Sequence, residues 1–314
     1  MAVALTNNTP NFLGALFQTD QAKTQFLTLI GGTDGMNSEV ASAIEFPISV
    51  NFELGEAAQP AISEQASMGA ANPEIVTKTQ NTNVIQIFQK DISISKMRQR
   101  AQGLLSGLAV AGGTPDISDE EAFQLMTGLA KVKRDMNWTA INGVFNKGGL
   151  TDPAVALGTR GILEAIETNV VNGELNAENI GELARLVYDN GAFDNPVLFA
   201  SSVNRQKISQ AYKVESLTEV ERDRLSGGVA VGKIITEFGD IFIATDNYFG
   251  NDAVALVDIP HVRPVFTRDK ETGEVIAVTP RDQRGGYLYE IYAEFGLNHG
   301  DEKLHAKLNI TPGE

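Results

Sequence analysis

Residues 83–95, NVIQIFQKDISIS, alternate apolar and polar side chains over a longer span than a compact domain ordinarily needs. Side chains along a strand point to opposite faces in turn, so the pattern predicts an extended strand with one apolar face. At about 3.3 Å per residue it would span about 43 Å, whereas ordinary strands run about five or six residues. The loop before it, residues 55–76, is rich in Gly, Ala and polar residues and is too polar to pack alone. Residues 45–54 (EFPISVNFEL) alternate in a similar way and are the expected antiparallel partner across that loop. A lone two-stranded hairpin is marginal in water, so either the rest of the chain or a neighbouring copy must cover it. The strand reads as an arm that reaches another chain.

Downstream, residues 96–110 read as a moderately helical stretch, broken by Gly112, Gly113 and Pro115. A long helix is then expected over about 118–147. Ser118 with Glu121 three residues later forms a capping box, and Asp119 and Glu120 sit where the helix dipole favours negative charge. Leu125, Leu129, Val132, Met136, Ala140 and Val144 recur at helical spacing without an interrupting proline. Lys147 followed by Gly148 and Gly149 supplies the stop. Such a rod, at about 1.5 Å per residue, is about 43 Å long and can organise a lobe.

Before the hairpin, residues 1–35 carry Asn7, Asn8, Pro10, Asn11 and glycines at 31, 32 and 35, and read as an extended or partly helical arm. Beyond the long helix, 161–169 and 177–190 read as helices, PVLFA (196–200) as a buried strand, and 203–212 as another helix. KIITEFGDIFIA (233–244) alternates on both sides of Gly239-Asp240 and predicts a hairpin, and 253–257 adds a strand. The segments 265–266, 275–278, 287–295 and 304–310 read as a set of strands that pack on the long helix. The sum is an α+β chain with an arm, a long hairpin, a rod helix and an inserted mixed lobe.

Composition narrows the function. The chain has 314 residues, 42% hydrophobic and 21% charged, values of a globular protein large enough for two or more lobes. No apolar run approaches the roughly 20 residues of a membrane span, and the start MAVALTNNTP lacks the pattern of a secretory signal, so folding in the cytoplasm is expected. The absence of cysteine excludes disulfides, thiolate nucleophiles and iron–sulfur clusters. A formal charge of −15 argues against gripping a phosphate backbone. The glycine run ending at Lys233 fits a phosphate-binding loop up to its lysine, but Ile234 stands where Ser or Thr should hold magnesium, and a strand follows. His299, Glu302 and His305 have no enforced metal geometry, and the histidines read as ordinary solvent-exposed or hydrogen-bonded ones. Lys131, Lys133 and Arg134 read as a solvated helix face or as pairs with acids such as Asp135. There is no GxSxG elbow, no metal or cofactor site is expected, and no enzyme signature survives.

Several strings in order resemble one family. NVIQIF (83–88) leading into DISIS (91–95), AKVKRDMNWTAING (130–143), ITEFGDIFIA (235–244), EFGL (294–297) and HAKL (305–308) are similar to tailed-phage major capsid proteins, in particular the SU10-like family with the HK97 fold. The resemblance covers most of residues 45–310. It implies an N-terminal arm (1–44), an extended E-loop hairpin (45–95), a peripheral domain (96–160 and 262–314) with a long spine helix, and an axial domain (161–261). The implied function is a structural, non-enzymatic virion protein, assembled in the bacterial host cytoplasm into pentamers and hexamers of an icosahedral head. Its partners would be copies of itself, with scaffold, portal or decoration proteins, around DNA bound without sequence specificity.

On that reading Ile85, Ile87 and Phe88 form an intersubunit strand face, with Val84 and Gln86 on the other side, and Leu125, Leu129, Val132 and Met136 form the spine-helix core. The chain has no room before its arm for the long scaffolding segment of some relatives, which leaves a separate scaffold or prior cleavage open. Lys78 and Lys90 lie in the hairpin region, but no motif identifies the asparagine and glutamate of an isopeptide crosslink. Two alternatives stand beside this one: an encapsulin-type compartment shell, and a cytoplasmic enzyme with an unrecognised site.

Overall fold

The computed structural model describes residues 24–32, 38–52, 59, 61–69, 76–95, 120–214, 222–224, 230–268 and 274–311. Most of the expected arm, the helical stretch 96–110, the cap residue Ser118 and the glycines at 227 and 228 lie outside them. In chain order, α1 (Gln25–Leu29) precedes β1 (Glu39–Val40), β2 (Glu45–Phe52), the one-turn α2 (Glu64–Ser67), β3 (Lys78–Val84) and β4 (Gln86–Ser95). Then come α3 (Glu120–Asn142), α4 (Ile162–Ala165), β5 (Val170–Gly173), α5 (Ala177–Asp189), β6 (Pro196–Ala200) and α6 (Ser202–Val214). The strands β7 (Arg222–Arg224), β8 (Ala230–Thr236), β9 (Gly239–Thr245), β10 (Ala253–Asp258), β11 (Arg263–Phe266), β12 (Ile276–Gln283), β13 (Gly286–Asn298) and β14 (Ala306–Ile310) complete the described chain.

The deciding stretch is two strands, not one. β3 pairs with β2 up to Val84↔Glu45, and β4 begins a new ladder with β13 at Gln86↔Phe295 that runs to Ser95↔Gly286. Ile85 bridges them, its N–H donating to the Ile44 carbonyl at 2.9 Å. Val84 and Ile85 are adjacent and both buried, so the pleat alternation restarts there: Phe88, Ile92 and Ile94 point inward and Ile87 points out. The expected single 43 Å strand, and its pairing with 45–54, are corrected accordingly. Residues 86–95 pack on the body of their own chain, and the two-stranded part ends at Val84.

The long strand β13 organises a five-stranded sheet, with β4 along one edge and β12 then β11 along the other, and β1 parallel to β11. The helix α3 lies on this sheet. Gly128 permits the approach, because a Cβ there would sit 2.6 Å from Ile92 Cδ1 and 2.7 Å from Ile291 Cδ1. Val132, Met136, Ala140 and Ile141 are buried, and Leu125 and Leu129 are half-buried against the same cluster. Full burial of each large aliphatic side chain stabilises by about 1.5–3 kcal/mol.

The helix ends at Asn142, short of the expected 147. The Gly143 N–H makes a last helical bond to Thr139 O at 2.8 Å, and the chain then runs extended so that Asn146 bridges Gly158. A Cβ at Gly143 would lie 2.4 Å from Thr159 O, so it is the backbone crossing of 158–161 that stops the helix, and Val144 is left exposed.

The second sheet has seven strands in the order β5-β14-β10-β6-β9-β8-β7. β6 and β10 are buried along their whole length. α5, capped by the Asn176 side chain accepting from Asn179 N–H at 2.8 Å, lays Ile180, Leu183, Ala184 and Val187 against it. The expectation that 304–310 joins the strands on the long helix is corrected: β14 inserts between β10 and β5, and its inward Ala306 and Leu308 complete this second core. The 161–169 helix is only the four-residue α4, and the 236–239 turn is made by Glu237 and Phe238 rather than by Gly239-Asp240.

One described piece of the arm is embedded in the core. Phe26 of α1 stacks edge-on to Phe199 (5.0 Å) and Phe249 (5.7 Å). Its N–H donates to Asp246 Oδ2 at 3.1 Å, Asn137 Nδ2 donates to the same oxygen at 3.0 Å, and Asn137 Oδ1 accepts the Leu27 N–H at 2.8 Å.

Candidate functional site

The hairpin β2–β3 is exposed on both faces for most of its length, with an irregularity between Pro47 and Ser49. Val50 and Phe52 are 55% and 56% exposed, and Ile62, Met68 and Val76 between the strands are exposed as well. Apolar side chains on a thin ribbon, away from any core, are the kind of surface that a partner covers.

Its base is fixed by contrast. Phe46 packs with Ile85 and Val265, and Gly296 leaves room for the ring: a Cβ there would be 2.7 Å from Phe46 Cε1. Asn83, fully buried, makes four hydrogen bonds. Nδ2 donates to Leu297 O (2.8 Å) and Arg160 O (3.2 Å), and Oδ1 accepts from Arg160 N–H (2.8 Å) and Val84 N–H (2.9 Å). One side chain thus ties the hairpin root, the 158–161 segment and β13 together. Sequence reading missed it; the signal was an amide directly before two consecutive core residues.

The expected intersubunit face is corrected in part. Val84, Ile85 and Phe88 are covered by their own chain, Phe88 meeting Phe295 edge-on at 6.0 Å, so they have no surface left for a neighbour. Gln86 is half-buried, its Oε1 accepting the Thr159 N–H at 3.3 Å. Ile87 stays 54% exposed.

The residues tested for chemistry have structural tasks. Glu302 accepts from Glu167 N–H (2.8 Å), Thr168 N–H (3.1 Å) and the Thr168 hydroxyl; these bonds outweigh its desolvation and hold its carboxyl below the usual range. His305 engages both ring nitrogens, and His299 is buried beside it. Asp194, Asp258 and His261 come within 4.8 Å of one another, but Asp258 accepts the backbone N–H groups of Asp194 (3.2 Å) and Asn195 (2.7 Å), which makes it a clamp on that turn. Lys233, in β8, pairs with Asp240 at 2.7 Å, and Lys131 pairs with Asp135 on the exposed side of α3. A groove between β1–β11 and β12, lined by Val40, Ile44, Val275 and Ala277, ends in Tyr292, whose hydroxyl donates to Glu294 at 2.7 Å; burial, then Glu294, pushes its pKa up to about 12.

Among solved structures the chain is similar to the cyanophage A-1(L) capsid asymmetric unit, with a TM-score of 0.63 at 14% identity over 98% of this chain and 100% of that one. It is similar to the capsid of Myoviridae phage XM1, with a TM-score of 0.61 at 9% identity over 98% and 99%. The holo-SrpI encapsulin of Synechococcus elongatus PCC 7942 gives 0.61 at 10% over 96% and 95%. At such identities these likenesses establish the fold, an α+β architecture of the HK97-like capsid class. No curated protein matches the sequence. The sequence matches the SU10 major capsid protein family over residues 2–311, and with nearly its whole length covered the chain belongs to that family of structural phage capsid proteins.

Proposed function

We propose that this chain assembles into the pentamers and hexamers of an icosahedral phage head that encloses double-stranded DNA, and that the β2–β3 hairpin is the arm that reaches the adjacent copy. The observation that carries the reading is the two-sided exposure of that hairpin with Val50 and Phe52 uncovered, above a base pinned by Asn83 and Phe46. A rigid root with an apolar, uncovered blade suits a contact between copies, and a standard interface buries about 800 Å² per partner. Repeated around each subunit, such contacts reinforce one another. The charge of −15 suits a wall that contains DNA without gripping it. The work is structural rather than enzymatic, assembly takes place in the host cytoplasm, and scaffold, portal or decoration proteins are the further partners.

Negative-stain microscopy of the purified protein tests this, with Val50→Asp and Phe52→Asp beside the parent. The parent is expected to form closed particles of many chains that hold DNA when made in the presence of the packaging machinery. Both variants are expected to stay as small, folded species. Particles of unchanged yield from both variants would remove the hairpin from the account, and particles filled with an enzyme rather than DNA would replace the phage head by a compartment shell.

A further inference from the structure

His305 stands where the two sheets meet, directly before β14, and its side chain has no exposed surface. The Asp258 N–H donates to its Nδ1 at 3.2 Å, and its Nε2 meets the His299 carbonyl at 2.8 Å. Accepting at Nδ1 and donating at Nε2 describes one neutral tautomer. An imidazolium donates at both nitrogens and cannot accept the Asp258 N–H. Asp258 ends β10 in the seven-stranded sheet and holds the 194–195 turn, while His299 follows β13 of the five-stranded sheet.

We propose that His305 is an acid-labile latch between the sheets: the neutral ring bridges the ends of β10 and β13, and protonation at Nδ1 opens the bridge at Asp258. The latch is internal to one chain and stands whether or not the chain assembles. Burial is the largest influence on the ring and pushes its pKa down to about 4; the His299 carbonyl acts against this, the His299 and His261 rings act with it, and Asp301 acts against it. The neighbouring His299 is likewise held at about 4 by burial and the Arg160 guanidinium, with Glu302 opposing. Among the described residues no carboxylate bonds to the His305 ring, so the incoming proton meets an N–H rather than an acceptor.

Hydrogen–deuterium exchange of the whole protein from pH 7.5 to 4, corrected for intrinsic rates, tests the latch. With the ring at about 4 closed and about 6.5 open, the opening equilibrium at Asp258 and the 194–195 turn should rise about 30-fold between pH 7.5 and 5, and about 150-fold by pH 4. His299, the other buried ring held near 4, is replaced by Leu throughout the comparison, which keeps its backbone carbonyl; in that background His305→Gln, which can donate to the residue-299 carbonyl and accept from Asp258 N–H without titrating, should abolish the rise, and His261→Gln should keep it. Exchange at Asp258 that stays flat to pH 4, that rises equally throughout the chain, or that still rises in His305→Gln would overturn the latch. If His305→Gln does not fold, the profile of the His299→Leu protein decides alone: a rise confined to the His305 contacts supports the latch, and a flat or uniform one overturns it.

Discussion

Replacing Asn83 by Ala removes four hydrogen bonds at the root of the hairpin at once. The lost partners are the carbonyls of Leu297 and Arg160 and the N–H groups of Arg160 and Val84, all at 2.8–3.2 Å from the amide. A neutral hydrogen bond contributes about 1 kcal/mol net, which sets the loss at about 4 kcal/mol if nothing compensates. The space vacated by the amide is polar, and a single water with two to four partners can recover part of this, so about 2–4 kcal/mol is expected. Asn83→Leu separates the terms: it fills the space with carbon, excludes the water and should cost more than Ala. Out of a typical total of about 5–15 kcal/mol, either loss is plainly measurable. The assay is equilibrium urea unfolding of unassembled subunits, with exchange of the Val84 and Arg160 amides followed in parallel. A change below about 0.5 kcal/mol for Ala, or a Leu variant more stable than the Ala variant, would refute the idea that Asn83 pins the hairpin.

Phe88→Asp should destabilise the subunit by more than about 3 kcal/mol through loss of a buried ring and burial of a charge, whereas Ile87→Lys, one residue away on the open side, should stay within about 0.5 kcal/mol; urea midpoints compare them. Gly143→Ala should cost roughly 1–3 kcal/mol by the same measurement, because its Cβ must displace the Thr159 and Thr139 carbonyls, at 2.4 and 2.5 Å. For His299 the folded pKa of about 4 lies below the ordinary 6.5, so the unfolded chain binds the proton first, and stability is full above pH 6.5 and lost as pH falls toward 4. His299→Leu should therefore flatten the acid limb by up to about 1.4 kcal/mol per pH unit within that window, read from urea midpoints between pH 7 and 4.5.

The elements legible in the sequence were those whose pattern is local. PVLFA is a buried strand, and Ile180, Leu183, Ala184 and Val187 line one helical face; neither needs knowledge of distant residues. The errors fell where a distant segment decides. Alternation continues through Asn83 and Ser95 at the level of residue type, yet the sheet changes at Ile85 because β13, two hundred residues later, offers a second edge. The end of α3 is set by the backbone of Thr159, which no capping rule at Lys147 can register. β14 leaves its chain neighbours for the other sheet because the slot between β10 and β5 takes its apolar face. Ile87 and Phe88, expected together on one intersubunit face, part company for the same reason: once the ladder restarts, Phe88 turns into the core and Ile87 faces out.

The contact between copies through the β2–β3 hairpin is tested most directly by a cryo-electron-microscopy reconstruction of assembled particles. The account predicts density for Val50 and Phe52 packed against a neighbouring subunit, with the Asn83 root unchanged. Hairpins lying on their own subunit, or a protein that remains monomeric at high concentration, would contradict it.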